Sequence, residues 1–453
     1  MSNKDDSPSA LVDTPLLQDK AFWGMTVAQF LGAFNDNLFK QLMLLLAVPT
    51  VAASVSAETV VESTKAATGG DQQGLTTMIF SVPFILFSGF AGFLSDRYRK
   101  QTVILTAKYA EIGIMALGLL GFLFFRVTGY YGLLGVLFLM GTHSAFFGPG
   151  KYGILPELFH KKDLSRANGI ILMTTFLAII FGTASAGFLG NMADATPGRP
   201  EPEKLWIGSL ICIGIAMLGV VSAHFIRSSP AANPNLKFSP ASLAIPKETM
   251  ALLARDRKLL LALLSSCLFW LVCGLTMQSI NSLGLTQLKV DKGQTSLLAG
   301  VISIGIAIGA VAAGKLGSGK DAPRTVTIGA WGIVLSLIVL SLSRPGGAHL
   351  LGYYGTMPAL VALGSFAGLF AIPVQVFIQT RPPENQKGQA IATMNFSNFI
   401  AIFLSGAIYW LFNWIVSTAN WPSSTVFFFT ALLVLPVALL YKLPGPEEAT
   451  SDA

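Results

Sequence analysis

Charge is scarce in this chain. Asp, Glu, Lys and Arg make up 12% of its 453 residues, about half the share of a soluble domain. With a mean hydropathy of +0.63, this excludes an ordinary wetted globule. Cysteine and histidine are scarcer still, at three and four residues. Cys212, Cys267 and Cys273 all fall in apolar runs, where they read as small core hydrophobes rather than disulfides or ligands. His143 and His224 also lie in apolar runs, His160 and His349 in loops, and no HExxH or other metal-ligand spacing occurs. The glycine-rich stretches sit inside apolar runs rather than in nucleotide-binding loops, so neither a metal nor a cofactor is expected. An acyltransferase needs a His with an acid four or five residues on, whereas His160 has Asp163 three residues on. No cleavable signal peptide is visible, because residues 1–20 are polar and of mixed sign and the first apolar run is too long.

What the chain has instead is apolar runs near the length that a bilayer demands, about 20 residues per helix. Twelve are read, at 22–49, 77–95, 102–125, 130–148, 169–190, 205–226, 259–280, 295–314, 325–342, 357–379, 389–413 and 424–441. Every backbone group in hydrocarbon must be paired internally, so runs of this kind predict transmembrane helices and an all-α membrane protein.

The net charge of +7 is not spread evenly. The loops at 96–101, 149–168, 227–258, 315–324 and 380–388 hold 18 Lys and Arg, and the alternate loops hold 7. The positive-inside rule then places the first set and both termini in the cytoplasm, with the basic charge facing anionic lipid rather than nucleic acid.

The longest of these loops contains Pro230, Pro234, Pro240 and Pro246, a linker composition. The expected organisation is a tail at 1–20, a six-helix bundle at 21–226, a cytoplasmic linker at 227–257, a second six-helix bundle at 258–442 and a tail at 443–453. The halves echo one another. Ile170, Met173, Ile179 and Ala186 match Ile391, Met394, Ile400 and Ala407, and Gly92-Phe93-Leu94 matches Gly314-Lys315-Leu316, all about 220 residues apart.

Four charged residues lie inside the predicted spans: Asp36, Lys40, Lys108 and Glu111. Each costs about 2.5–3.5 kcal/mol at the bilayer centre, so each needs a cavity or a partner. Gln29, Ala33, Asp36 and Lys40 share one helical stripe. Spacing lets Asp36 pair with Lys40, and Lys108 with Glu111. Self-neutralising pairs that only hold helices together are the plainer reading, and a substrate site is the functional one. Gln278 and Asn281 share a face, as do Asn395 and Asn398, and interhelical hydrogen bonding explains them as well as substrate contact does. Small-xxx-small spacing at Gly305, Gly309 and Ala313, and at Ser88 and Gly92, predicts close packing or, alternatively, a sliding seam at a gate.

The run Gly92-Phe93-Leu94-Ser95-Asp96-Arg97-Tyr98-Arg99-Lys100 resembles the major facilitator signature between its second and third helices. The resemblance implies a latch for the outward-open state. In it Gly92 permits close helix approach, Asp96 sits at a neighbouring helix N-terminus, and basic residues reach helix C-termini. The second copy has Ser318 in place of the Asp. Two further segments, Gln29-Phe30-Leu31-Gly32-Ala33-Phe34-Asn35-Asp36-Asn37 and Gly148-Pro149-Gly150-Lys151-Tyr152-Gly153-Ile154-Leu155-Pro156-Glu157-Leu158, the latter running on to Ser165-Arg166-Ala167-Asn168-Gly169, resemble the bacterial lysophospholipid transporter family. That family includes stand-alone transporters and the transporter half of fused acyl-carrier synthetase/acyltransferase proteins.

The resemblance implies the major facilitator fold, the inner membrane, and movement of lysophosphatidylethanolamine-like lipid to the cytoplasmic leaflet, where a separate acyltransferase/acyl-carrier synthetase reacylates it. Asp36 matches the family's motif Asp. Phe269-Trp270 also matches, but Met277 and Gln278 stand where a stand-alone member has an Arg, and Glu111 stands near a Lys position, as in the fused branch. Substrate-binding candidates are therefore Gln29, Asp36, Lys40, Lys108, Glu111, Gln278, Asn281 and Asn395. Gating candidates are Asp96, Arg97, Arg99, Lys100, Lys151 and Glu157. A proton-coupled carrier of a drug or sugar is the rival reading, and a membrane-bound acyltransferase the more distant one.

Overall fold

A computed structural model of the protein describes residues 14–49, 70–194, 201–238, 247–316, 321–383 and 386–444. Both extreme tails, Lys65, Arg199, Pro240, Pro246 and the Ser318 region lie outside the described residues. The fold is all-α; apart from an isolated bridge between Ser343 and His349, no strand occurs among the described residues.

Each of the twelve apolar runs is a helix. In chain order these are α1 (Lys20–Leu46), α2 (Gln73–Arg97), α3 (Lys100–Leu123), α4 (Phe125–Gly153), α5 (Lys161–Gly190), α6 (Trp206–His224), α7 (Arg257–Ser282), α8 (Lys292–Leu316), α9 (Ala322–Ser341), α10 (Gly352–Thr380), α11 (Lys387–Thr418) and α12 (Thr425–Leu440). Several outrun the apolar stretch. α5 begins eight residues early and α11 ends five late, because the hydrogen-bond ladder continues where the chain leaves hydrocarbon. Among the described residues ten helices are long and apolar enough to cross a membrane, and the protein is a multi-pass membrane protein. α12 is a shorter apolar helix, and α1 is diluted by its own polar residues.

Two of these helices start at an aspartate cap that also holds an arginine. Asp19 accepts from the Ala21 N–H at 2.8 Å and takes Arg227 Nη1 on both oxygens at 2.8 Å. Asp256 accepts from the Leu259 N–H at 3.0 Å and from Arg381 Nε at 2.7 Å. Each aspartate satisfies an orphan N–H at its helix start; Asp19 ties the start of α1 to the chain just after α6, and Asp256 ties the start of α7 to the residue after α10. Between them, a short helix Lys247–Arg255 ends the linker.

The buried apolar residues form four clusters, and none mixes residues before Arg227 with residues after Lys247. Within the first group, α1 packs on α5 and α6, α2 on α4, and α3 on α4 and α6. Within the second, α8 and α9 pack on α10, α7 on α11, and α9 on α12. The groups meet mainly through α5 against α8 and α2 against α11. Gly305 and Gly309 face Val361 and Ser365 of α10 so closely that a Cβ would press into their backbones. This glycine seam is tight packing inside one group, not a sliding surface between two. A Cβ on Gly92 would meet nothing within 4 Å, so the expected close approach there does not occur.

Candidate functional site

The polar stripe of α1 is the centre of a buried cluster. Gln29 donates to the Ile171 carbonyl at 3.2 Å and to Thr174 Oγ1 at 2.8 Å, and accepts from Thr175 Oγ1 at 2.9 Å, fastening α1 to α5. Lys151, near the end of α4, is buried and donates to the same Thr175 hydroxyl at 3.3 Å. It points into this interior rather than to the loop where a gate was expected.

Asp36 does not form the ion pair that its spacing to Lys40 allows. Its Oδ2 accepts from Ser144 Oγ of α4 at 2.6 Å. Its Oδ1 lies 3.7 Å from His143 Nε2, and neither of those buried atoms has a hydrogen-bond partner. Lys40 turns away and places its ammonium 5.2 Å from the ring centre of Phe80 on α2, a cation–π contact. Spacing of i, i+4 makes two side chains neighbours, and here each finds a better partner on another helix.

Lys108 and Glu111 do pair, at 2.8 Å and almost fully buried. Asn35 Nδ2 donates to Glu111 at 2.8 Å and to the Cys212 carbonyl at 3.0 Å. Gly32 leaves the room that the Lys108 ammonium fills. This pair is satisfied within the helices, as a structural pair would be.

The uncharged candidates divide. Gln278 donates back to the Gly274 carbonyl at 3.0 Å, and its Oε1 is buried without a partner. Asn398 accepts from Ser266 at 3.1 Å, and Asn395 is exposed. Asn281 joins a network at the opposite end of the molecule from the basic loops. It accepts from Gln41 Nε2 at 2.8 Å and donates to Gln73 Oε1 at 2.9 Å. Among the described residues no hydrogen bond joins Gln278, Asn281 or Asn395 to Asp36.

That network contains residues the sequence reading passed over. Asp71, just before α2, accepts from the Gln73 N–H at 2.9 Å, Gln73 Nε2 at 3.1 Å, Ser282 Oγ at 2.8 Å and Tyr409 Oη at 2.7 Å. A second bridge at this end joins the turn after α5 to the start of α8, with Lys292 Nζ 2.8 Å from Asp194 and Asn191 Nδ2 3.1 Å from Asp291. Among the described residues, the hydrogen bonds and ion pairs joining α1–α6 to α7–α12 lie at this end.

The signature loop is built differently from its expected latch. Asp96 is exposed, and its carboxylate makes no hydrogen bond or ion pair among the described residues; its carbonyl accepts from the Asn233 N–H of the linker at 2.8 Å. Arg97 lies over Phe93 and Tyr98, and Arg99 is exposed. The contact that is made is Lys100 with Glu157, whose other oxygen accepts from Ser229 Oγ at 2.5 Å. It ties the start of α3 and the linker to the short helix Leu155–Leu158, all within one group of helices.

A family model for the Major Facilitator Superfamily matches residues 25–406. The chain belongs to the major facilitator superfamily. This major facilitator is 27% identical over 407 residues to the lysophospholipid transporter LplT of Yersinia enterocolitica, covering 88% of each chain. It is 27% identical over 441 residues to LplT of Klebsiella pneumoniae, covering 94% of this chain and 96% of the relative. A POT family transporter solved in complex with 5-aminolevulinic acid superposes with a TM-score of 0.69 at 13% identity, over 93% of this chain and 95% of its own. A mutant of the nucleoside transporter NupG gives 0.66 at 12%, over 92% and 98%. At these identities the two solved structures share the fold alone. Similarity to named transporters across nearly the whole chain makes this major facilitator a transporter and not an enzyme.

Proposed function

We propose that the protein moves lysophospholipid across the bacterial inner membrane to the cytoplasmic leaflet. The observation that carries this reading is the α1 stripe, in which an Asp36 oxygen without a partner and a Lys40 ammonium without a carboxylate stand one turn apart. A lysophosphatidylethanolamine headgroup presents one ammonium and one phosphate. Asp36 would take the ammonium and Lys40 the phosphate as charge-assisted hydrogen bonds. Lys108 is committed to Glu111 and is the weaker phosphate candidate. The names of the relatives support the same substrate.

The helices at 21–226 and 258–442 would act as two bundles that rock about the stripe, with residues 227–257 as a cytoplasmic linker and both termini in the cytoplasm. The separate apolar clusters favour that division, and the distribution of basic residues favours that orientation. The network at Asp71 would then close the periplasmic end. The delivered lipid would be reacylated by a separate cytoplasmic acyltransferase/acyl-carrier synthetase.

The test is uptake of labelled lysophosphatidylethanolamine into vesicles containing the protein. Uptake that unlabelled lysophospholipid suppresses, and that sugars and cationic drugs leave alone, is expected. Suppression by a sugar or drug, with no lipid uptake, would transfer the assignment to a proton-coupled carrier of that molecule.

A further inference from the structure

Asp71 sits where a charge is hard to keep. It lies just before α2 and accepts from the first N–H of that helix, and both of its partners from the other helix group, Ser282 of α7 and Tyr409 of α11, are buried. The groups packed around it bring no cation. α7 supplies Gln278 and Ser282, α11 supplies Tyr409, and α4 supplies Tyr130 and Tyr131, bonded to Thr76 and Gln72 beside it. Gln41 of α1 reaches the network only through Asn281. Among the described residues no Lys, Arg or His pairs with Asp71.

The partners are also of a kind that accepts either form of the acid. Ser282 and Tyr409 are hydroxyls 2.5 Å apart, and each can donate or accept. A carboxylate receives both O–H groups, and a neutral carboxylic acid can donate to one of them while the other turns. The second bridge at the same end differs, because there Lys292 meets Asp194 as a charged pair.

We infer that closing the outer end of the protein takes up a proton at Asp71. When the two helix groups part, Ser282 and Tyr409 withdraw and the carboxyl faces water. When they close, burial pushes the Asp71 carboxyl above its ordinary range, against the hydrogen bonds from Gln73, Tyr409 and Ser282 that pull it down. A group that holds its proton more tightly in the closed form makes acid favour closure, and rising pH favour opening. The inference rests on the proposed two-bundle motion but not on the identity of the substrate.

The experiment places spin labels at Val127→Cys and Tyr354→Cys, both highly exposed and on opposite groups at this end. Cys212, Cys267 and Cys273 are replaced by alanine, and the protein is held in lipid nanodiscs. Lowering the pH from mildly alkaline to acidic should raise the ratio of short to long distances in the protein with Asp71, by up to about tenfold per pH unit between the two pKa values. Asp71→Asn, which mimics the neutral acid, should hold the short distance at every pH. A distance distribution that ignores pH in the Asp71 protein overturns the inference, as does Asp71→Asn that opens at neutral pH. If the variant fails to fold, the titration of the Asp71 protein decides alone. A distance that lysophosphatidylethanolamine moves and pH does not would reject the proton step and leave the transport reading standing. A distance that nothing moves would reject both.

Discussion

His143 Nε2 faces Asp36 Oδ1 across 3.7 Å, and neither atom has a hydrogen-bond partner. A buried polar atom left open is costly, and here two of them border one gap between α1 and α4. Ser144 holds the other Asp36 oxygen and so fixes the direction in which the open one points. Asp36→Asn keeps the size of the side chain and removes its charge. Transport of lysophosphatidylethanolamine should fall at least about tenfold, roughly one charge-assisted hydrogen bond, with an unchanged melting temperature. Normal transport by a well-folded Asp36→Asn protein would remove the α1 site from the mechanism.

Lys40 and Asp36 should act separately, because no ion pair joins them. Lys40→Met should weaken transport by itself. The double variant Asp36→Asn with Lys40→Met should not regain what either loses, and the coupling should stay below about 0.5 kcal/mol. A double variant that transports normally would show that the two charges merely neutralise each other.

The opposite outcome is expected at Lys108 and Glu111. Their carboxylate–ammonium pair is buried and braced by Asn35. Lys108→Met strands a buried anion and should cost about 3–5 kcal/mol, seen as a lower melting temperature in detergent. Adding Glu111→Gln should recover most of the loss. If the single change leaves the melting temperature unmoved, the pair contributes nothing to the fold.

The signature loop makes a fourth prediction. Asp96→Asn should leave the distance between the two helix groups at the Asp96 end unchanged, since its carboxylate binds nothing among the described residues. Glu157→Gln should speed hydrogen exchange in Leu155–Leu158 and around Ser229, where its two bonds end. The reverse pattern would restore Asp96 as the latch.

The fifth concerns Gly74 and Gly406, where α2 and α11 touch backbone to backbone. A Cβ on either would press into the carbonyl of the other. Gly406→Leu should therefore hold the outer end apart, lengthening the distance between spin labels at positions 127 and 354. Distances matching those of the Gly406 protein would mean that the helices separate without consequence for the gate.

The twelve helices were legible because hydrocarbon imposes a length and an apolar composition that no other environment does. Asp36 and Glu111 were legible for the same reason, since a charge in an apolar run stands out. Asp71 was not, because an Asp in a polar loop is ordinary and its partners come from α7 and α11, more than 200 residues along the chain. His143 was set aside as a lone histidine, and only the three-dimensional fold brings it opposite Asp36. Lys151 was read as a loop residue of its motif, but α4 runs on to Gly153 and carries it inward. The spacing of Asp36 and Lys40 was read correctly as adjacency and wrongly as contact.

The bridges at Asp71, Gln73, Asn281 and Lys292 also set a direction in time. In the proposed cycle these bonds would make the unloaded protein rest shut at the end where they lie. A ligand arriving from there meets a competent molecule only in the fraction that has already broken them, so its apparent affinity is weakened by that fraction. In that cycle, once cargo had left on the far side, the slow step would be the return of the empty carrier. Turnover should then accelerate when these bonds are weakened, until the outer end no longer closes at all.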